Sequence, residues 1–254
     1  MMFFALRRLL LAGFYFLLFS QAMNLSGQDL TFFHYGLAEG MSDPSVGAIL
    51  QDRTGFIWVG TDFGLNRFDG LRFKNYLHDT SDSLSLSANS VSCLFEASTG
   101  HIWVGTRGGG ISVYDPTHEL FTRILHEAGD SSSLSNNYIN HITADADGHI
   151  WVATEDGLNE LTSDPKHPQA ASFRTLPLPF AHIYCMAEWP RGTYWMGTDR
   201  NGILRYDKAS QQITRYVFDP NNRPASPIPF NIIQAFYVDT VRDHNNLWIA
   251  TLGG

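Results

Sequence analysis

Two cysteines in 254 residues are too few for a disulfide framework. Charge is scarce as well. Asp, Glu, Lys and Arg make up 17% of the chain, against roughly 25% in an average protein. What charge there is leans acidic, with 25 acidic and 17 basic residues and a formal net charge of −8. That balance argues against a nucleic-acid partner, because phosphate binding needs a basic surface. The mature chain also lacks the apolar period of 3.6 residues that marks helices. Together these absences exclude a disordered chain, a coiled coil and a helical bundle. What is abundant is aromatic residues, at 13%, and glycine, at 22 residues. That composition suits many short strands joined by tight turns.

Long apolar runs are missing, with one exception at the start. Arg7 and Arg8 precede Leu9 to Phe19, an uncharged apolar run of 11 residues, and Ser20-Gln21-Ala22 follows with small residues. This is the layout of a secretory signal peptide over residues 1–22, with the cut between 22 and 28. The run is short for a membrane span, which needs about 20 residues. Loss of Arg7 and Arg8 takes the formal charge from −8 to −10. The expectation is an exported, periplasmic domain spanning 29–254.

Tryptophan organises the rest. Ile57-Trp58-Val59-Gly60-Thr61, Ile102-Trp103-Val104-Gly105-Thr106, Ile150-Trp151-Val152-Ala153-Thr154, Tyr194-Trp195-Met196-Gly197-Thr198 and Leu247-Trp248-Ile249-Ala250-Thr251 are copies of one pattern. The tryptophans are 45, 48, 44 and 53 residues apart. A period of 40 to 50 residues signals a repeat architecture. Each period reads as four strands: an apolar strand before the tryptophan, the tryptophan strand, and two more after a glycine turn. Four antiparallel strands per repeat are the signature of a β-propeller blade.

The all-β expectation places blades at roughly 42–77, 86–125, 134–177, 180–218 and 229–254. Trp58, Trp103, Trp151, Trp195 and Trp248 are expected to pack between blades. The Gly or Ala two residues later shares the tryptophan's face and allows close approach of the next sheet. Thr61, Thr106, Thr154, Thr198 and Thr251 are expected to satisfy a backbone group at the strand end. The aromatic segment 30–36 resembles Phe73-Lys74-Asn75-Tyr76 and is expected to serve as a closing outer strand. Four full blades and the start of a fifth suggest part of a larger ring, of seven blades. A naturally short chain that pairs with another copy is the alternative.

Catalytic signals are few. The ten histidines show no close ligand spacing, so neither a metal site nor a cofactor is expected. No nucleophile elbow, phosphate loop or dinucleotide fingerprint appears. Cys93 and Cys185 each precede a repeat tryptophan by ten residues, in the second and fourth blades. A whole blade separates them, and a disulfide needs Cα atoms within about 7 Å, so two free buried thiols are expected. A ligand site, if present, lies where the turns after the tryptophan strands gather with the inter-blade loops. Its candidate residues are Asp62, Arg107, Glu155, Asp199 and Arg200, since loops on a rigid scaffold carry function.

The segment Asp52-Arg53-Thr54-Gly55-Phe56-Ile57-Trp58-Val59-Gly60-Thr61-Asp62-Phe63-Gly64-Leu65-Asn66 resembles the two-component regulator propeller repeat. So do Asp145 to Asn159 and the Leu-Ser-x-Asn starts at Leu86 and Leu134. Trp189-Pro190-Arg191-Gly192 departs from the pattern by replacing its acidic turn. The resemblance implies the sensor part of a hybrid sensor histidine kinase of Bacteroidetes type, without catalysis in this chain. It implies an oligosaccharide ligand and tethering of the parent protein to the inner membrane. The expected partners are the remaining blades and signalling domains, or a second copy in a homodimer. The alternatives are an enzyme similar to streptogramin lyase or a quinoprotein-like propeller.

Overall fold

The computed structural model describes residues 31–221, 226–239 and 246–252. The chain divides into residues 1–34 and residues 35–254. Of the first unit only 31–34 are described, and they carry no helix or strand. The leader expected over 1–22 lies outside the described residues.

The second unit holds eighteen described strands. The first blade is β1 (Val46–Gln51), β2 (Ile57–Thr61), β3 (Gly64–Phe68) and β4 (Phe73–Tyr76). The second is β5 (Val91–Glu96), β6 (Ile102–Thr106), β7 (Ile111–Asp115) and β8 (Leu120–Ile124). The third is β9 (Ile139–Ala144), β10 (Ile150–Thr154), β11 (Gly157–Leu161) and β12 (Phe173–Thr175). The fourth is β13 (Ile183–Glu188), β14 (Thr193–Thr198), β15 (Ile203–Asp207) and β16 (Gln212–Tyr216). β17 (Ile233–Asp239) and β18 (Asn246–Thr251) pair as a two-stranded sheet. Every ladder is antiparallel and every blade is ordered as its strands occur in the chain.

The first strands of successive blades lie beside one another and form the inner edge. The core is divided among the junctions between blades rather than held within any one sheet. Trp58 and Leu65 of the first blade pack with Val91, Ile102 and Tyr114 of the second. Trp103 and Val113 meet Ile139 and Val152. Trp151 and Leu158 meet Ile183 and Met196, and Cys185 and Ile203 meet Ile233. This explains the consecutive apolar residues of the tryptophan strands, which are covered on both faces. A Cβ on Gly60 would lie 3.0 Å from Val91 Cβ, and one on Gly197 would lie 2.7 Å from Ile233 Cβ. The small residue after each tryptophan is therefore the socket for the next blade's first residue.

Two features depart from the sequence expectation. Residues 31–36 form no strand. Phe32-Phe33-His34-Tyr35 resembles the outer strand Phe73-Lys74-Asn75-Tyr76 in composition, but a strand exists only with a ladder partner. Tyr35 instead packs edge-on against Phe68, with centroids 5.0 Å apart. Trp248 is 60% exposed, unlike Trp58, Trp103 and Trp151, because its outward face carries no neighbouring sheet among the described residues.

Candidate functional site

The repeat carries its own hydrogen-bond frame. Thr61, Thr106, Thr154 and Thr198 are fully buried. Their hydroxyls donate to the carbonyls of Gly64, Gly110, Gly157 and Gly202 at 2.8, 2.8, 3.1 and 2.7 Å. Each threonine thus closes the turn that follows its strand. The residue after it fixes the turn to the inner strand. The N–H groups of Asp62, Arg107, Glu155, Asp199 and Leu252 donate to the carbonyls of Ser45, Ser90, Tyr138, His182 and Ile232. Four of the five candidates, Asp62, Arg107, Glu155 and Asp199, therefore occupy one register in the four full blades, each tied to the inner strand by its main-chain N–H, and Arg200 follows Asp199. Their side chains take no part in that anchoring.

At the opposite end, an aspartate six residues before the tryptophan binds its indole. Trp58 Nε1 donates to Asp52 at 2.7 Å, and Trp151 Nε1 donates to Asp145 at 3.2 Å. Asp145 also accepts from the Tyr194 hydroxyl at 2.9 Å and the His149 N–H at 2.9 Å. Burial pushes its carboxyl up, but the bonds from Trp151, His149 and Tyr194 prevail and hold it at about 2. In the second blade Ala97 stands in that place, and the buried Trp103 Nε1 has no partner. In the fourth, the Trp189 carbonyl accepts from Trp195 Nε1 at 2.5 Å. Asp145, Asp147 and His149 place ligand atoms within 4.8 Å of one another. Asp145 is already committed to these three donors and to the Asp147 N–H at 3.0 Å, so the trio is a turn frame.

The inner edge holds a feature that residue types did not reveal. Each first strand has a bulge at its second residue: Gly47, Ser92, Asn140, Tyr184 and Gln234. A bulge leaves one residue outside the ladder and re-aims its side chain. Ser92 Oγ donates to the Ile139 carbonyl at 2.5 Å, and Asn140 Nδ2 to the Ile183 carbonyl at 2.9 Å. At Gly47 a Cβ would lie 2.8 Å from the Val91 carbonyl oxygen. The bulges thus stitch neighbouring blades beside the candidate turns.

Four of the five candidate residues bear on the charge of one tyrosine. Desolvation raises the Tyr184 hydroxyl, and Asp199 and Glu155 raise it further, while Arg200 and Arg107 oppose them. Arg107, Glu155, Asp199 and Arg200 thus all act electrostatically on Tyr184. Asp62 occupies the same register in the first blade. Tyr138 bridges to Arg107, and its carbonyl accepts the Glu155 N–H at 3.2 Å. Its ring covers Gly108 and is 47% exposed. Arg200 has a φ of +60, a left-handed conformation that costs roughly 1–2 kcal/mol for a residue with a side chain. Gly108 has a φ of +93 at the matching position of the second blade.

Cys93 and Cys185 are both free and buried, on β5 and β13. Burial pushes each thiol up to about 12, where a thiolate nucleophile is not formed.

The comparisons agree with this geometry. The model of the two component regulator propeller family matches residues 40–63, 85–108 and 133–156. Histidine kinase P4 of Formosa agariphila is 43% identical over 68 residues, which are 26% of this chain and 5% of that kinase. The extracellular domain of a hybrid two-component system from B. thetaiotaomicron is similar over 86% of this chain and 29% of its own, at 26% identity and a TM-score of 0.75. Virginiamycin B lyase from Staphylococcus aureus shares the fold over 89% of this chain and 69% of its own, with 17% identity and a TM-score of 0.61. The chain thus spans a small part of its kinase relative and under a third of the hybrid-system structure.

Proposed function

We infer, from the match of three repeats to the two component regulator propeller model, that this chain is the extracytoplasmic ligand-binding part of a signalling protein and that its ligand is an oligosaccharide. The observation that carries this reading is the register in which Asp62, Arg107, Glu155 and Asp199 project from turns held by their own main-chain N–H groups, beside the half-exposed ring of Tyr138. Sugars present hydroxyl groups that need both donors and acceptors, together with an apolar ring face. Guanidiniums supply donors, carboxylates supply acceptors, and a tyrosine supplies an aromatic face with a polar end. The fixed turns preorganise these groups, which lowers the ordering cost of binding.

In this reading the parent protein is tethered to the inner membrane, and further blades and a histidine kinase belong to it. Ligand binding biases the packing of blades, and that change is relayed to the kinase. A homodimer is a partner state compatible with such relay. Among the described residues, no helix is long and apolar enough to cross a membrane. The likeness to the lyase speaks for the fold alone.

Calorimetric titration of the exported chain with an oligosaccharide panel tests the site. Arg107→Ala and Glu155→Ala should each weaken binding about tenfold, which is roughly 1.4 kcal/mol. Wild-type affinity in Arg107→Ala, Glu155→Ala and Asp199→Ala alike would remove this face as the site.

A further inference from the structure

Residues 78–89 and 126–137 are twin loops that lead into the second and third blades. His78 and His126 open them alike. Their main-chain N–H groups donate to Asn89 and Asn137 Oδ1 at 2.7 Å, and their Nδ1 atoms donate to the Leu86 and Leu134 carbonyls at 2.7 and 2.6 Å. A serine is the hub of each loop. Ser85 Oγ lies 3.1, 2.8 and 3.4 Å from the carbonyl oxygens of Asp79, Asp82 and Leu86. Ser133 Oγ lies 3.2, 2.9 and 3.3 Å from those of Glu127, Asp130 and Leu134. A hydroxyl has a single proton, so it can serve only one carbonyl of each set.

In the first loop Arg123 of β8 serves the others. One of its guanidinium nitrogens lies 3.3, 2.7, 2.8 and 3.2 Å from Asp79 O, Asp82 O, Ser85 Oγ and Leu86 O. Four oxygens thus surround one cationic centre. In the third blade the matching position is Thr175. Arg123 pairs with Ser112, which accepts the Ser87 N–H, and Thr175 pairs with Asn159, which accepts the Ser135 N–H. The Thr175 hydroxyl donates to Asn159 at 3.1 Å. Among the described residues, no arginine or lysine donates to the four oxygens of the second loop. A cavity of about 150 Å³ opens beside them, lined by Glu127, Asp130, Ser133, Gln169 and Phe173. Arg123 also lines it, with its guanidinium turned to the first loop.

Charge separates the twins as well. The first loop carries Asp79 and Asp82 against Arg123, whereas the second carries Glu127 and Asp130 with no Lys or Arg in 126–137. Its histidine Nδ1 is already bonded to Leu134. Carbonyl, hydroxyl and carboxylate oxygens suit a hard cation. Calcium takes roughly six to eight such oxygens, waters included, in flexible geometry, whereas magnesium demands a tight octahedron. Calcium–oxygen bonds of about 2.3–2.6 Å ask the loop to close by roughly half an ångström. Gly129 has no atom within 4 Å of its Cβ position to resist that closure.

We propose that the loop 126–137 is a calcium site, in which the ion takes the place that the Arg123 guanidinium holds in the twin loop. Its ligands are the carbonyls of Glu127, Asp130 and Leu134, Ser133 Oγ, and the Glu127 and Asp130 carboxylates. Residue types concealed the site because half of these ligands are main chain. The ion fastens the second loop as Arg123 fastens the first.

The test is calorimetric titration of the metal-free full chain with CaCl2. One ion per chain should bind with a dissociation constant of about 0.1–1 mM, the range of extracellular modules. CaCl2 should raise the melting temperature where MgCl2 and KCl at equal ionic strength do not. Thr175→Arg supplies the guanidinium of the twin loop, so it should lose calcium binding while melting, without calcium, no lower than wild type. Ser133→Ala should weaken binding at least about tenfold. Wild-type affinity for calcium in both variants would overturn the site. An equal response to MgCl2 or KCl would overturn calcium as the ion, and no binding by the wild type would overturn the proposal as a whole. The oligosaccharide reading is tested on other residues and stands or falls apart from these outcomes.

Discussion

Removing the Asp145 carboxylate should be among the costliest single changes in the chain. Two of its donors, Trp151 Nε1 and the Tyr194 hydroxyl, belong to residues almost wholly buried at the junction of the third and fourth blades. Without an acceptor each is stranded, at roughly 1–3 kcal/mol. The carboxyl is held at about 2 against 3.8, and its own side chain is fully shielded. At about 1.4 kcal/mol per unit, the charged form therefore contributes roughly 2–3 kcal/mol. The two routes describe overlapping interactions, so Asp145→Ala should cost roughly 3–5 kcal/mol. Asp145→Asn keeps an oxygen for the N–H groups and should cost less. The assay is urea unfolding at a series of pH values. A depressed folded-state value means that the contribution is complete above about 4 and is lost as pH falls through about 2. The gap between wild type and Asp145→Asn should therefore be constant near neutrality and close in that acid window. A gap below about 0.5 kcal/mol at neutral pH, or one unchanged at pH 2, would refute the reasoning.

Three further outcomes follow from the same frame. Ala97→Asp should supply the buried Trp103 Nε1 with an acceptor and stabilise the chain by about 1 kcal/mol in chemical denaturation; a loss of stability would contradict this. Gly105→Ala would bring a Cβ to 2.8 Å from Ile139 Cγ2 and against Cys93 Sγ, and should cost about 1–3 kcal/mol, part of which Cys93→Ala should restore. Burial lowers His141 to about 4, and its Nδ1 accepts the Met186 N–H at 3.3 Å. Its folded form is neutral, so the stability it contributes is present above about 6.5 and lost as pH falls toward 4. Ring-proton NMR should place its midpoint near 4, whereas a midpoint near 6.5 would show that it is solvated.

The blades were legible because tryptophan, a small residue and threonine recur in fixed order, and each has one physical task. Trp58 fills a junction, Gly60 receives Val91, and Thr61 closes the turn onto Gly64. The candidate turns were legible through register alone. The bulges were not, because Gly47, Ser92, Asn140, Tyr184 and Gln234 share no chemistry; what they share is position and backbone geometry. The indole clasp could have been found at Asp52 and Asp145, six residues before their tryptophans. Ala97 and Trp189 break that pattern, so its full extent needed coordinates. Segment 30–36 misled for the opposite reason: its composition was that of a strand, but ladder pairing is a property of two segments.

The turns of the candidate face are anchored by main-chain N–H groups and by a buried threonine rather than by the side chains of Asp62, Arg107, Glu155 or Asp199. Foldability and recognition are therefore written on different atoms. Asp62, Arg107, Glu155 and Asp199 can be exchanged for other residues with little penalty to the scaffold, blade by blade. Copies of a single repeat can in this way diverge into receptors for unlike ligands without passing through an unfolded ancestor.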